Sequence, residues 1–332
     1  MLEFFDKPTV SAYEIHGRLL PARVLETSGI PSVVFSEDAL AFVHFVPTLS
    51  FDFTVLVPDE RVQEAVECLQ KELPQYQVTQ ERSYRMTDKS GVCALPRAVR
   101  LEWDEAKLKE KLDHRTPWYI LVVPQSHFHF DVNDGTRVRG LIPPFDPSDA
   151  RIRFPTLPAF INSLIDTMFE PVEGVSRASH LRFQGFYLGS FLSYLCIYNI
   201  RDEDGAKDPE TGELLPAAQA LLEGVKPENV ALLETYLRTG SMSILPELSV
   251  ERQRLKAERL AISRTVRPTF PFQIQDRISP VFPGRPHGTT PRHSPRHSPR
   301  HSPRHSYSTL CRVSAPPIRL LQSVLRMKTI FR

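Results

Sequence analysis

A chain of 332 residues, 41% hydrophobic and 24% charged, has material for one large or two smaller folded domains. It contains no run approaching the roughly 18 uninterrupted apolar residues of a membrane-spanning helix. The formal charge of +2 hides a division: residues 264–332 hold 13 Lys+Arg against one acid, Asp276, and the rest of the chain holds 28 against 38. An acidic body at −10 thus carries a basic tail at +12, and such asymmetry points to an anionic partner for the tail.

From the N-terminus, Glu3 and the lack of an apolar stretch in the first ten residues argue against a secretory signal. Residues 9–28 predict a helix with Ile15, Leu19, Leu20 and Val24 on one side, ended or kinked at Pro21. A short apolar strand follows at 32–35, and Ser36-Glu37-Asp38 starts a helix over roughly 37–45. The next strand, 51–57, carries one carboxylate, Asp52, with Thr54 two residues on. Pro58-Asp59 opens a helix whose Val62, Ala65, Val66 and Leu69 recur at helical spacing up to Leu73. Strands are expected at Gln77–Gln80, Ala98–Trp103 and Trp118–Val123. Strands alternating with helices indicate an α/β domain with a mixed or parallel sheet over residues 1–139.

Residues 140–158, with five prolines, read as a connector or crossing loop. Helices are predicted beyond it at Leu157–Phe169, His180–Ile200, Gly224–Gly240 and Leu245–Ile262, a helical lobe spanning 140–263. Residues 264–332 hold eleven prolines and, at 291–306, four tandem Pro-Arg-His-Ser copies, a composition expected to stay disordered. This basic tail suits an anionic surface or a nucleic acid, and its serines offer phosphorylation sites that would cancel the basic field. Within 318–331, Ile318, Leu321, Val324 and Leu325 share one helical face. Four scattered cysteines (Cys68, Cys93, Cys196, Cys311) without a CxxC pair fit reduced thiols and a cytoplasmic or nuclear setting.

Two polar clusters invite a metal reading. His127, His129 and Asp131 would lie on one face of a strand, a donor set suited to zinc or iron, although aromatic–polar alternation is what any half-buried strand shows. Asp202, Asp204, Asp208, Glu210 and Glu213 fall at calcium-loop positions 1, 3, 7, 9 and 12. There Lys207 stands where glycine is needed and Ala206 fills a ligand position, so a solvated turn is expected. No Walker loop, GxSxG elbow or GxGxxG is present.

The strand, the Ser-Glu-Asp helix start and the Phe51–Glu60 segment, whose strand carries Asp52, together resemble the nucleotidyltransferase superfamily related to polymerase beta, and more narrowly a fungal group with that fold. The resemblance covers roughly residues 10–130. It implies a Gly-Ser or Gly-Gly turn before a helix, an Asp-x-Asp pair on the next strand and a third acid from a later strand. Residues i and i+2 of a strand point the same way, so such a pair can hold two Mg²⁺ ions over nucleotide phosphates. Carried onto this chain, Asp52 matches the first acid, Thr54 stands where the second belongs, and Glu102 is the candidate third, leaving Asp52 and Glu102 as candidate metal ligands. Ser36 and Glu37 occupy the turn that would cradle phosphate, with a carboxylate where phosphate should sit. The resemblance therefore implies a transferase fold without a complete Mg²⁺ pair: a non-catalytic binding or scaffold protein without a cofactor. The alternatives are an active Mg²⁺-dependent nucleotidyltransferase and a nucleic-acid-associated protein acting through its tail. The plain reading of Asp52 is a strand carboxylate satisfied by backbone or by an arginine.

Overall fold

The computed structural model describes residues 3–265, leaving out 49–51, 80–94, 96, 105–115, 142–143, 145, 174, 176–179, 181–186, 202–204 and 241–245. The expected tail, the Pro-Arg-His-Ser repeats and the 318–331 face lie outside the described residues. The chain divides into two units, Met1–Ile262 and Ser263–Arg332, and the first is the one described here.

The predicted helix over 9–28 is two: α1 (Ala12–Arg18), capped by a Ser11–Glu14 box, and α2 (Leu20–Thr27), with Pro21 in its first turn. β1 (Val33–Phe35) runs into α3 (Ser36–Val43), every residue of which is buried. β2 (Phe53–Val57), α4 (Val62–Glu72), β3 (Tyr76–Val78), β4 (Val99–Trp103) and β5 (Tyr119–Pro124) complete a five-stranded sheet in the order β1-β2-β5-β4-β3. β2 and β5 are parallel, with Thr54 opposite Leu121, and the other pairings are antiparallel, so the sheet is mixed. A parallel pair needs a long crossover, which α4, β3 and β4 supply. β2 and β5 are buried on both faces, which explains their largely apolar sequences.

The 140–158 stretch is more structured than a connector. β6 (Val138–Gly140) pairs antiparallel with β7 (Arg153–Pro155), and a 3₁₀ turn at Pro147–Arg151 lies between them. That turn is clamped through its fully buried Asp149, which accepts from Arg23 at 2.7 Å and meets His16 Nδ1 at 2.9 Å. The helices that follow are α5 (Leu157–Phe169), α6 (Gly189–Ile200), α7 (Pro216–Leu222), α8 (Pro227–Thr239) and α9 (Pro246–Thr265). The short α7 has no counterpart among the predicted helices.

A boundary at residue 139 is not visible in the packing. The Phe35 ring of β1 lies 4.7 Å from Phe128, 6.0 Å from Phe130 and 4.6 Å from Phe160 of α5. Phe160 continues to Phe191 of α6, so one aromatic core joins the sheet to the helices. Replacing Phe35→Ala removes the ring at the centre of this cluster. It should lower the unfolding free energy by about 3–5 kcal/mol in urea titrations, and a loss below about 1 kcal/mol would show that the cluster does not join the two parts.

Two buried histidines make the fold sensitive to acid. Burial pulls the His44 imidazole down to about 3, with Arg139 adding to it, and pulls His127 down to about 4, with Arg97 adding and Asp59 opposing. Both are neutral in the folded state and titrate near 6.5 when unfolded, so their contribution is complete above pH 6.5 and is lost as pH falls towards 4 and 3. Urea unfolding followed from pH 7.5 to 5 should show stability falling with a limiting slope of about 1.4 kcal/mol per pH unit for each histidine. A flat profile between pH 6.5 and 5 would contradict this burial.

Candidate functional site

The β1–α3 turn is built tightly. Ser36, the first residue of α3, has φ +66°, a left-handed conformation that side-chain-bearing residues adopt at a cost and glycine adopts freely. The backbone thus keeps the shape that a glycine turn takes while carrying a serine. The Ser36 hydroxyl donates to the Glu37 carboxylate and stands 2.5 Å from the Tyr187 hydroxyl, which must then donate to it. Asp38 is fully buried and receives both Nε (2.5 Å) and Nη2 (2.9 Å) of Arg18, a two-pronged ion pair that ties α1 to the turn. Glu37 is buried as well, so the side chains expected to face a nucleotide phosphate are engaged with protein groups.

The strand register defines the face that carries Asp52. Thr54 stands opposite Leu121, and Leu121 opposite Arg100; Tyr119 stands opposite Glu102. Alternation puts Asp52, just before β2, on the Thr54 side and in the row of Tyr119 and Glu102. Glu102 therefore shares the face of Asp52 but lies across the whole width of β5, about 9–10 Å away at ordinary strand spacing. β5 inserts between the strand that follows Asp52 and the strand that carries Glu102. On β5 itself the positions next to Asp52 and Thr54 are Tyr119 and Leu121, which supply no carboxylate.

The space between is bridged by Arg100. Its guanidinium carbon lies 3.7 Å from the centre of the Tyr119 ring, and its Nη2 is 3.4 Å from Asp52 Oδ1. The Asp52 and Arg100 side chains are 11% and 13% exposed, which places the pair in a partly dry environment where a charge needs a partner. The charge of Asp52 is answered by the arginine cation. Two bridged Mg²⁺ ions do not fit this arrangement, because Asp52 faces a guanidinium, Thr54 is uncharged and Glu102 is a strand away.

The His127, His129 and Asp131 set does not form a strand face. Residues Gln125–Phe128 make a 3₁₀ turn closed by His129 at φ +47°, so the period-two spacing is not realised. His129 Nε2 meets the Glu170 carbonyl at 2.6 Å, and Asp131 accepts from the Asn133 amide at 2.9 Å. In the acidic loop, Asp208 accepts from the amides of Glu210 and Thr211, each at 2.8 Å, as a turn does; Asp202 and Asp204 lie outside the described residues. Among the described residues no group of three or more His, Cys, Asp or Glu is placed to hold a metal, and no helix is long and apolar enough to cross a membrane.

One cluster escaped the sequence reading. At the carboxyl ends of the parallel strands β2 and β5, Asp59 accepts from the Ser126 amide at 3.0 Å and its hydroxyl at 2.5 Å. Arg97 approaches Asp59 at 3.3 Å and donates to Ser126 Oγ at 3.0 Å. Carboxyl ends of parallel strands are where α/β proteins often place ligands, but here the groups latch onto one another. The visible signal was a Pro directly after each apolar run, Pro58 and Pro124, marking both exits together.

No protein-family model and no curated protein sequence matches the chain. Among solved structures, the crystal structure of JHP933 from Helicobacter pylori aligns over 77% of this chain and 99% of its own, at 11% identity and a TM-score of 0.28, a likeness too slight to carry an argument about fold or function.

Proposed function

We propose that the chain is a non-catalytic, nucleotidyltransferase-like binding or scaffold protein. The observation that carries this reading is the Asp52–Arg100 ion pair over Tyr119, which answers the remaining acid with an internal cation. The likeness to the transferase type is supported by the order of strand, turn, helix and antiparallel strand at the start of the sheet, with a parallel strand beyond it. It is supported also by the left-handed Ser36 at the position where that family carries glycine. The missing chemistry is specific: in-line phosphoryl transfer needs two metals or an equivalent clamp on attacking and leaving oxygens, and this face offers one paired carboxylate.

A second reading, an active Mg²⁺-dependent transferase using Asp52 and Glu102, rests on the two acids sharing a face. Their separation by β5 weighs against it. A third assigns the contact with nucleic acid or another anionic surface to the basic residues 264–332.

Incubation with labelled ATP, GTP, CTP or UTP and Mg²⁺ or Mn²⁺ should give no transfer to the protein, to RNA or to a small acceptor. Metal-dependent labelling that disappears in Asp52→Ala would overturn the proposal. In the converse experiment, Thr54→Asp with Arg100→Met restores a paired acid and removes the competing cation. That variant should bind Mn²⁺ at least about tenfold more tightly than the natural chain in calorimetry, a change of about 1.4 kcal/mol.

A further inference from the structure

The last helix is held in an unusual way. In the 20-residue α9, Arg252 is the one described side chain that is buried, at 4% exposure, while Leu248 rests only at the edge of the core. Helices of a folded body normally dock through an apolar stripe. This one docks through cations at 252, 256 and 259, spaced i, i+4 and i+7 along one face. Arg252 donates to Asp166 and to Glu170 at 2.6 Å each, and to Asn229 Oδ1 at 2.9 Å. Lys256 pairs with Glu170, and Arg259 donates to Glu228 at 2.7 and 2.9 Å.

The acids come from α5, from Glu170 at its end and from α8, and are set there by neighbours. Asn229 donates to Asp166 at 2.9 Å, and Lys226 also pairs with it. Burial pushes the Asp166 carboxyl up, but Lys226, Asn229 and Arg252 outweigh it and hold it below the usual carboxylate range. The contact is not close-packed: an open pocket of about 370 Å³ lies along it, lined in part by Phe169, Ser249, Gln253 and Leu260.

We propose that α9 is an exchangeable strap: Asp166, Glu170 and Glu228 form an acidic seat for a helix with cations at i, i+4 and i+7, filled in cis by α9 and, when that strap lifts, by α9 of a second copy of the chain. The seat recognises charge spacing rather than an apolar surface, and the sequence that complements it is α9 itself. Exchange of an identical element between copies is a low-cost route to a dimer, because every contact is already made in the monomer.

Amide exchange on full-length protein tests the strap. Lys256→Glu with Arg259→Glu, whose side chains are 32% and 37% exposed, should speed exchange across residues 247–262 at least about tenfold, while the sheet amides keep their protection. Mixing this strap-reversed chain with a seat-reversed one, Glu170→Lys with Glu228→Lys, should give a 1:1 complex in sedimentation that neither forms alone. Should the seat-reversed chain fail to fold, a synthetic peptide of residues 246–265 should bind the strap-reversed chain and not the natural chain, whose seat its own α9 already fills. The proposal is overturned if α9 stays protected in the reversed variant, if strap and sheet open together, or if the peptide binds both chains alike or neither.

Discussion

The parallel pairing of β2 with β5 sets the remaining geometry. It forces the chain to leave the sheet after Val57, pass through α4, β3 and β4, and return beside β2 in the same direction. The return fixes which residues face Asp52. With Thr54 opposite Leu121, the row of Asp52 receives Tyr119 rather than an acid, and Glu102 is pushed one strand further out. Arg100 then has an aromatic surface to lie on and a carboxylate within reach. A side-chain register, not the loss of a single residue, accounts for the character of this face.

Among the described residues, buried charge is met by an opposite charge at several points of the fold. Asp38 takes Arg18 at the head of α3, Asp149 takes Arg23 and His16 in the crossing turn, and Asp166 takes Lys226 and Arg252 between helices. Removing one partner of such a pair leaves an uncompensated charge and is costly, whereas the intact pair adds modest stability but strong specificity of placement. These pairs join segments far apart in sequence. The aromatic cluster around Phe35 provides the apolar attraction, and the ion pairs set how the pieces meet.

Much of the sheet was legible because strand and helix periods are local properties. The strands at 33–35, 53–57, 99–103 and 119–124 and the break at Pro21 follow from apolar runs and proline chemistry alone. What the residues do not announce is long-range. Nothing near Asp52 signals that Arg100 will reach it, since their meeting depends on the insertion of β5. The His127–Asp131 alternation looks like a strand, yet Pro124 ends β5 and a 3₁₀ turn takes over, with His129 bonding the Glu170 carbonyl just after α5. The charged sequence of α9 does not announce its docking, because a helix that docks by ion pairs has the same composition as one that does not dock. The 140–158 prolines suggest a connector, and the clamp on Asp149 becomes visible only when α1 and α2 are folded against it.

The most direct test of the account is a double-mutant cycle on the Asp52–Arg100 pair, using Asp52→Asn and Arg100→Met and measuring unfolding free energies with and without Mn²⁺. If Arg100 is the partner of Asp52, the two changes couple by about 1 kcal/mol or more and Mn²⁺ alters nothing in the natural chain. Independent, additive effects together with a Mn²⁺-dependent rise in stability that is lost in Asp52→Asn would contradict it.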